Sequence, residues 1–513
     1  MPIDKDGWIY CARHYINSVL VFDNTIVCIC KNMAVAMGAN FFVAVDQFGV
    51  VSTCGENHFG QLGLRETPDI DYTQQRALLG AMDFDFQSEQ HNAVMVSAGD
   101  QHAAFVTRSG SVYTWGNGYQ GQRGDDIEGE FLGRQPIPQL VFSARMHGSR
   151  ATMVSCGANH TLLLTASGQV WGCGSNHDFQ IGVQNMDDPL QTTGKSVCVF
   201  TMIPPTRFDS GDGDNHIAFI AAGCSHSAAV GRSNGLLWTW GNGEGGNLGH
   251  GNGDRNCSAR VPTHLPRETF GEAVISVSVC DITMAVTASG ALWACGWCNE
   301  GSLGLGQVLR SAIFQCVGTA DDFGDGGVRN VACSGSDYSL ILSYDGSVRI
   351  CGCHFLGIFS GGVNLHKKYF VPTLIDGGYF MNEPVVLVSA HDDLSVVVTK
   401  SGRLFTWGFE APGCFVGLAR TYVHGIDGES SPWLPRQVLY TNIPNQRIGL
   451  FGLWLHTLTD DQVLAFLMVQ HMKLGAGSCF RNASDCVLRN IFDSLMVPGA
   501  SDFGIGLRNM LGI

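Results

Sequence analysis

Three histidines occupy the same place in one short pattern: His102 in "SAGDQH", His160 in "SCGANH" and His226 in "AAGCSH", each three residues after a glycine. An imidazole beside an acid can work as a general base or as a metal ligand. Asp100 and Asn159 stand close by in sequence, and the same turn in later copies carries Asp281, Asp337, Asp392 and Asp393. Covalent chemistry needs more than this. It needs a nucleophile ordered with its base, a G-x-S-x-G elbow or a phosphate-cradling loop, and none accompanies these histidines. Two readings follow. Each histidine ties its own turn by hydrogen bonds, or the turns line one face of the molecule and offer Asp100, His102, Asn159, His160, His226, Asp281, Asp337, Asp392 and Asp393 to a partner. Neither reading makes the chain an enzyme, and no cofactor is expected.

Metal and redox chemistry fare no better. "CGWC" (295–298) is the one C-x-x-C, and it lacks a thioredoxin-like βαβ context or a second ligand pair. Cys295 stands where Trp115, Trp240 and Trp407 stand in related stretches, so it reads as a core filler, as does "CGC" (351–353). "DSGDGDNH" (209–216) offers Asp209, Asp212 and Asp214 in a glycine-rich loop, but without the closing glutamate of a calcium loop it reads as a solvated connection. No metal site is expected.

The elements that hold these residues come from a repeat. "VYTWGNGYQGQRGD" (112–125) has relatives at 50–64, 170–183, 237–251, 292–306, 348–362 and 404–419. Their shared glycine falls at Gly55, Gly116, Gly174, Gly241, Gly296, Gly352 and Gly408, at successive spacings of 61, 58, 67, 55, 56 and 56. Each copy is preceded by a small-residue strand, a polar turn, an apolar strand and a Ser-Gly or Asp-Gly turn, the last supplying the positive φ of a hairpin. Four short strands per unit, with no helical period, is the pattern of a propeller blade. A blade cannot bury both sheet faces alone, so the copies must stack into a ring.

This alternation of G-x-x-H-[ST] with [VL]-[YFW]-x-W-G-x-N-x-x-G-Q-L-G resembles the regulator of chromosome condensation repeat over residues 30–425. The resemblance implies an all-β, seven-bladed β-propeller. It also implies nucleotide exchange on a Ran-like small GTPase through the face bearing the histidine turns, where Asp100 and, more loosely, Asn159 match; the rim loops of a propeller, in an acidic chain, separately suit an interaction scaffold. The fifth and seventh turns, "CDIT" and "HDDL", lack the histidine, and the first residues do not read as a basic tail of the kind the resemblance would lead one to expect.

Composition narrows the partners. The 513-residue chain has a net charge of −15 with 30 Lys+Arg, and no basic cluster stands out, so direct nucleic-acid binding is not expected and protein partners are. There is no basic, apolar leader and no run of about 18 apolar residues, so an intracellular, cytoplasmic or nuclear protein without a membrane span is expected. The 19 cysteines then read as reduced, buried thiols. "KDGWIYCARHY" (5–15) and "RIGLFGLWLHTLT" (447–459) resemble two half-units that could close or cap the ring. Residues 1–458 are thus assigned to the propeller and 459–513 to a short C-terminal α-helical tail. In that tail, Thr459 with Gln462 forms a capping box, and Val487, Ile491 and Leu495 lie on one helical stripe suited to docking. A ubiquitin-ligase adaptor acting through these helices is a third functional reading.

Overall fold

The computed structural model describes residues 34–46, 48–64, 76–82, 84, 92–126, 133–183, 196–211, 215–251, 257–335, 337–353, 368–392, 394–408 and 436–437. They fold into seven four-stranded antiparallel sheets, one per sequence copy and each a simple meander. Blade 1 comprises Ala34–Met37, Phe41–Val45, Val51–Gly55 and Arg76–Ala81. Blade 2 comprises Ala93–Ala98, His102–Thr107, Val112–Gly116 and Gln135–Phe142. Blade 3 comprises Ala151–Cys156, His160–Thr165, Val170–Gly174 and Val197–Met202. Blade 4 is Ile217–Ala222, His226–Gly231, Leu237–Gly241 and Ala259–His264, and blade 5 is Val274–Val279, Ile282–Thr287, Leu292–Trp297 and Arg310–Gly318. Blade 6 is Val328–Ser334, Tyr338–Ser343, Val348–Cys353 and Lys368–Leu374, and blade 7 is Val385–His391, Leu394–Thr399, Leu404–Gly408 and Arg436–Gln437. Among the described residues the α-helix is confined to Ala144–His147.

The second strand of every blade is buried along its whole length, as in "HTLLLT" and "LSVVVT". These strands do not alternate apolar and polar, because a neighbouring blade covers each face. The hairpins before the third strands turn on glycines with positive φ, for example Gly110 and Gly168.

First strands meet in cyclic order round the axis, and the last, Val385–His391, meets the first, Ala34–Met37. Crowding there explains the small residues. A Cβ on Gly99 would lie 2.0 Å from the Gly157 carbonyl of the next blade. Serines in these strands also bridge blades: Ser97 accepts from the Cys156 N–H at 2.9 Å, Ser155 from Ala222 at 2.9 Å and Ser389 from Met37 at 3.2 Å. The last of these bonds joins blade 7 to blade 1. Val35, Met37, Phe42 and Ala44 pack there with Leu394, Val396, Val398 and Leu404. Seven blades therefore close on themselves within residues 34–437. The half-units at 5–15 and 447–459, the boundary at 458 and the whole tail lie outside the described residues.

Candidate interaction face at the channel mouth

The histidine turns join first to second strands at one end of the ring. His102 Nε2 lies 2.8 Å from Thr161 Oγ1, His160 Nε2 2.9 Å from Ser227 Oγ and His226 Nε2 2.7 Å from Thr283 Oγ1, each partner belonging to the next blade. Each hydroxyl gives its one proton to a main-chain carbonyl: Thr161 to Gln122 at 2.7 Å, Ser227 to Gln180 at 2.7 Å and Thr283 to Asn247 at 2.6 Å. The hydroxyl can then only accept from the ring, so Nε2 carries the hydrogen and Nδ1 is bare. Nδ1 of His102 and of His160 is buried without a partner, while Asn247 Nδ2 approaches Nδ1 of His226 at 3.3 Å. Burial holds the three imidazoles neutral, with pKa values pushed down to about 4, 3 and 4. All three side chains lie beneath the face, at seams between blades, and none is exposed.

Above them the turns converge on the mouth of the channel. Asp100 of blade 2 receives a hydrogen bond from His391 of blade 7, Nε2 to Oδ1 at 3.0 Å. Burial alone would lower the His391 pKa, but this bond and the charges of Asp392, Cys280 and Asp100 carry it up to about 9. Burial likewise opposes the Asp100 carboxylate, and the His391 bond and charge outweigh it and hold its pKa below the usual value. His391 is therefore a cation with no free lone pair, and it cannot serve as a base at neutral pH. Partial desolvation, together with the charges of Asp100 and Asp281, raises the pKa of Asp392 although His391 opposes this. Asn159, Asp281 and Asp392 are exposed, and Asp337 is half-buried. Asp393 is outside the described residues, as are Val487, Ile491 and Leu495.

The mouth also holds groups that the repeat pattern does not point to. His391 stands three residues before the repeat's histidine position, and its signal was the charged "HDDL" in place of G-x-x-H. Cys280 occupies the place of the turn glycines: its N–H bonds the Ile282 carbonyl, as that of Gly223 bonds His226. Its Sγ lies 3.4 Å from that of Cys224. Among the described residues no group of three or more His, Cys, Asp or Glu side chains could hold a metal ion.

"CGWC" lies elsewhere, at a seam. Trp115 and Trp240 donate from Nε1 to the carbonyls of Gln61 and Gln180 in the preceding blade at 2.8 and 2.9 Å. Cys295 Sγ reaches the matching Asn247 carbonyl at 3.5 Å, and Cys351 reaches Ser302 at 3.2 Å. Burial raises the pKa of both thiols. They are fillers with one weak hydrogen bond each, as the repeat alignment implies.

A family model, the RCC1-like domain, matches residues 18–376. The chain belongs to that family. Among its RCC1-like relatives, the ultraviolet-B receptor UVR8 of Arabidopsis thaliana is 29% identical over 383 residues, 74% of this chain and 77% of that one. The human regulator of chromosome condensation is 26% identical over 412 residues, 78% and 87% of the two chains. The human E3 ubiquitin-protein ligase HERC2 is 27% identical over 350 residues, which are only 7% of its length. Among solved structures, yeast RCC1 (Prp20) in complex with Kap60 superposes with a TM-score of 0.60 at 18% identity, covering 84% of this chain and 91% of that one. Among the described residues no helix is long and apolar enough to cross a membrane.

Proposed function

We propose that this RCC1-like propeller is a non-catalytic scaffold that binds a basic protein surface through the acidic turns of its channel mouth. The observation that supports this is the placement of exposed Asp281 and Asp392 and of Asn159 on turns round an Asp100–His391 pair, in a chain of net charge −15. Rim charges of this kind steer and orient a complementary partner. Protein partners are in keeping with the relatives: the structure of Prp20p from Saccharomyces cerevisiae was reported with its binding to Gsp1p and histones. The tail from Thr459 onward is proposed to add docking surface. The test is affinity capture from the native source with the full chain, with Asp281→Lys/Asp392→Lys and with a truncation after Leu458. The expected result is a partner set lost from the charge-reversal variant and reduced in the truncation. A charge-reversal variant that keeps every partner overturns the acidic-face reading.

Nucleotide exchange on a Ran-like GTPase is the second reading, favoured by the relative named RCC1-like G exchanging factor-like protein. Here Asp100, the acid that matches the exchange face, is already engaged by His391. Release of fluorescent GDP from Ran should therefore stay near its intrinsic rate. An acceleration of about a hundredfold, equivalent to about 3 kcal/mol, that vanishes in Asp100→Ala would replace the scaffold reading with exchange.

A further inference from the structure

Blade 5 departs from the repeat at one point, and that departure builds something. Its polar turn is one residue shorter than that of blade 4, running Cys280-Asp281 where blade 4 has Gly223-Cys224-Ser225. A thiol thus replaces the axial glycine, next to the cysteine of the preceding turn. The two sulfurs are 3.4 Å apart, and the Cys224 N–H also approaches the Cys280 carbonyl at 3.3 Å. The Gly335 N–H of blade 6 points at Cys280 Sγ from 3.1 Å. The His391 cation lies within electrostatic reach. Cys280 is buried, while Cys224 is half-buried. The surroundings favour a thiolate on Cys280: the Cys224 S–H and the Gly335 N–H both donate to it, and His391 adds positive charge, although burial opposes it and Asp281 repels it. Cys224, which holds the proton, is held well above the ordinary thiol range by that same bond. Burial instead raises the pKa values of Cys295, Cys333 and Cys351 at the seams.

We propose that Cys224 and Cys280 are a reactive dithiol that a peroxide closes into a disulfide between blades 4 and 5 at the channel mouth. The Cys280 thiolate attacks one peroxide oxygen, the O–O bond breaks, and the leaving hydroxide combines with the proton that the Cys280 thiol had released on ionising, giving water, so Cys280 becomes the sulfenic acid. Cys224 sulfur then attacks Cys280 sulfur, the S–O bond breaks, and the departing hydroxide takes the Cys224 proton as water. Two thiols are oxidised, one peroxide is reduced and two waters form. The sulfurs need to approach to about 2 Å, a shift of little more than 1 Å shared by two turns.

The experiment is hydrogen peroxide titration of the full chain, quenching with N-ethylmaleimide, and peptide mass spectrometry. The expected product is one linked peptide pair containing Cys224 and Cys280, formed at doses that leave the exposed Cys316 reduced and reversed by dithiothreitol. His391→Gln should slow its formation by about tenfold, the change that a one-unit rise in thiol pKa brings to the thiolate fraction. Cys224→Ser should let Cys280 stop at the sulfenic acid, detectable with dimedone. Should either variant fold poorly, wild-type labelling rates decide alone: in unoxidised protein iodoacetamide should modify Cys280 or Cys224 before Cys295, Cys333 and Cys351. Maleimide on both Cys224 and Cys280 after peroxide, with Cys316 already oxidised, overturns the proposal, as does a linkage rate indifferent to His391.

Discussion

Blades 2 to 4 and blades 5 to 7 solve one packing problem in two ways. At each seam the first residue of one blade's second strand faces the second residue of the next blade's. From blade 2 to blade 5 the pairs are His102–Thr161, His160–Ser227 and His226–Thr283, all buried and hydrogen-bonded. From blade 6 to 7 it is Tyr338–Ser395, with O–H to Oγ at 2.7 Å. At the seams flanking blade 1 both members are apolar, Leu394 with Phe42 and Phe41 with Ala103, and each pair shares an apolar cluster. A polar donor is thus met by a hydroxyl, and an apolar residue by an apolar one. The exception is Ile282 with Ser339, whose buried Oγ faces no donor across the seam and has the Cys333 thiol beside it. What the propeller keeps is matching across the seam, not histidine itself, and this is why worn copies still fold as blades.

The largest consequence of the difference is a response to acid. His102, His160 and His226 have folded pKa values depressed to about 4, 3 and 4 from an ordinary 6.5. The unfolded chain therefore binds more protons below pH 6.5. Their contribution is complete above that value and is lost as pH falls toward 4. At pH 5 the loss should be about 2 kcal/mol per histidine. Urea midpoints at pH 7.5 and 5 measure it, and replacement of His226 by Tyr, the residue blade 6 uses, should remove about a third of it. His391 has the opposite sign: its folded pKa is raised to about 9, so its contribution is full below 6.5 and fades as pH rises through 9. With the Asp100 side chain more than a third exposed, that alkaline loss should stay below about 1 kcal/mol. Equal acid sensitivity with and without the histidines would dissolve the comparison.

Next in size is Ser227→Ala. It removes the acceptor of His160 Nε2 and one of the two donors to the Gln180 carbonyl, which keeps Trp240 Nε1, so a buried imidazole N–H is left with no partner. A loss of about 2 kcal/mol is expected from thermal or urea unfolding.

The ring was legible because glycine spacing and hairpin turns are local signals, and local signals survive in every copy. The equivalence of Cys295 with Trp115 and Trp240 was legible for the same reason, since aligned positions meet aligned carbonyls. The depth of the histidines was not. Both faces of a second strand are buried, so period two gives no inside or outside, and the partner of His102 is 59 residues away at Thr161. The Thr or Ser that follows His160 and His226 was the available clue, because it is the acceptor for the blade before. The channel mouth was hidden by register: His391 is displaced by three residues, and Cys280 appears only where a turn has lost one.

The smallest effect is the sharpest test. Ser339→Ala is the same substitution at the same repeat position as Ser227→Ala, two blades further on. In blade 4 the hydroxyl sits between an imidazole donor and a carbonyl acceptor. In blade 6 the donor's place is taken by Ile282, and the Cys333 thiol is the polar group beside the hydroxyl. A buried hydroxyl without a full partner carries its desolvation penalty uncompensated, so deleting it should leave stability unchanged or raise it by up to about 1 kcal/mol. Restoring the donor with Ile282→His should make Ser339 matter again: in that background Ser339→Ala should turn destabilising, a sign change that a double-mutant cycle reads without knowing either single effect. If Ser339→Ala destabilises the parent as much as Ser227→Ala does, the seams are held by something other than matched pairs, and the difference between the two halves of the ring carries no energetic meaning.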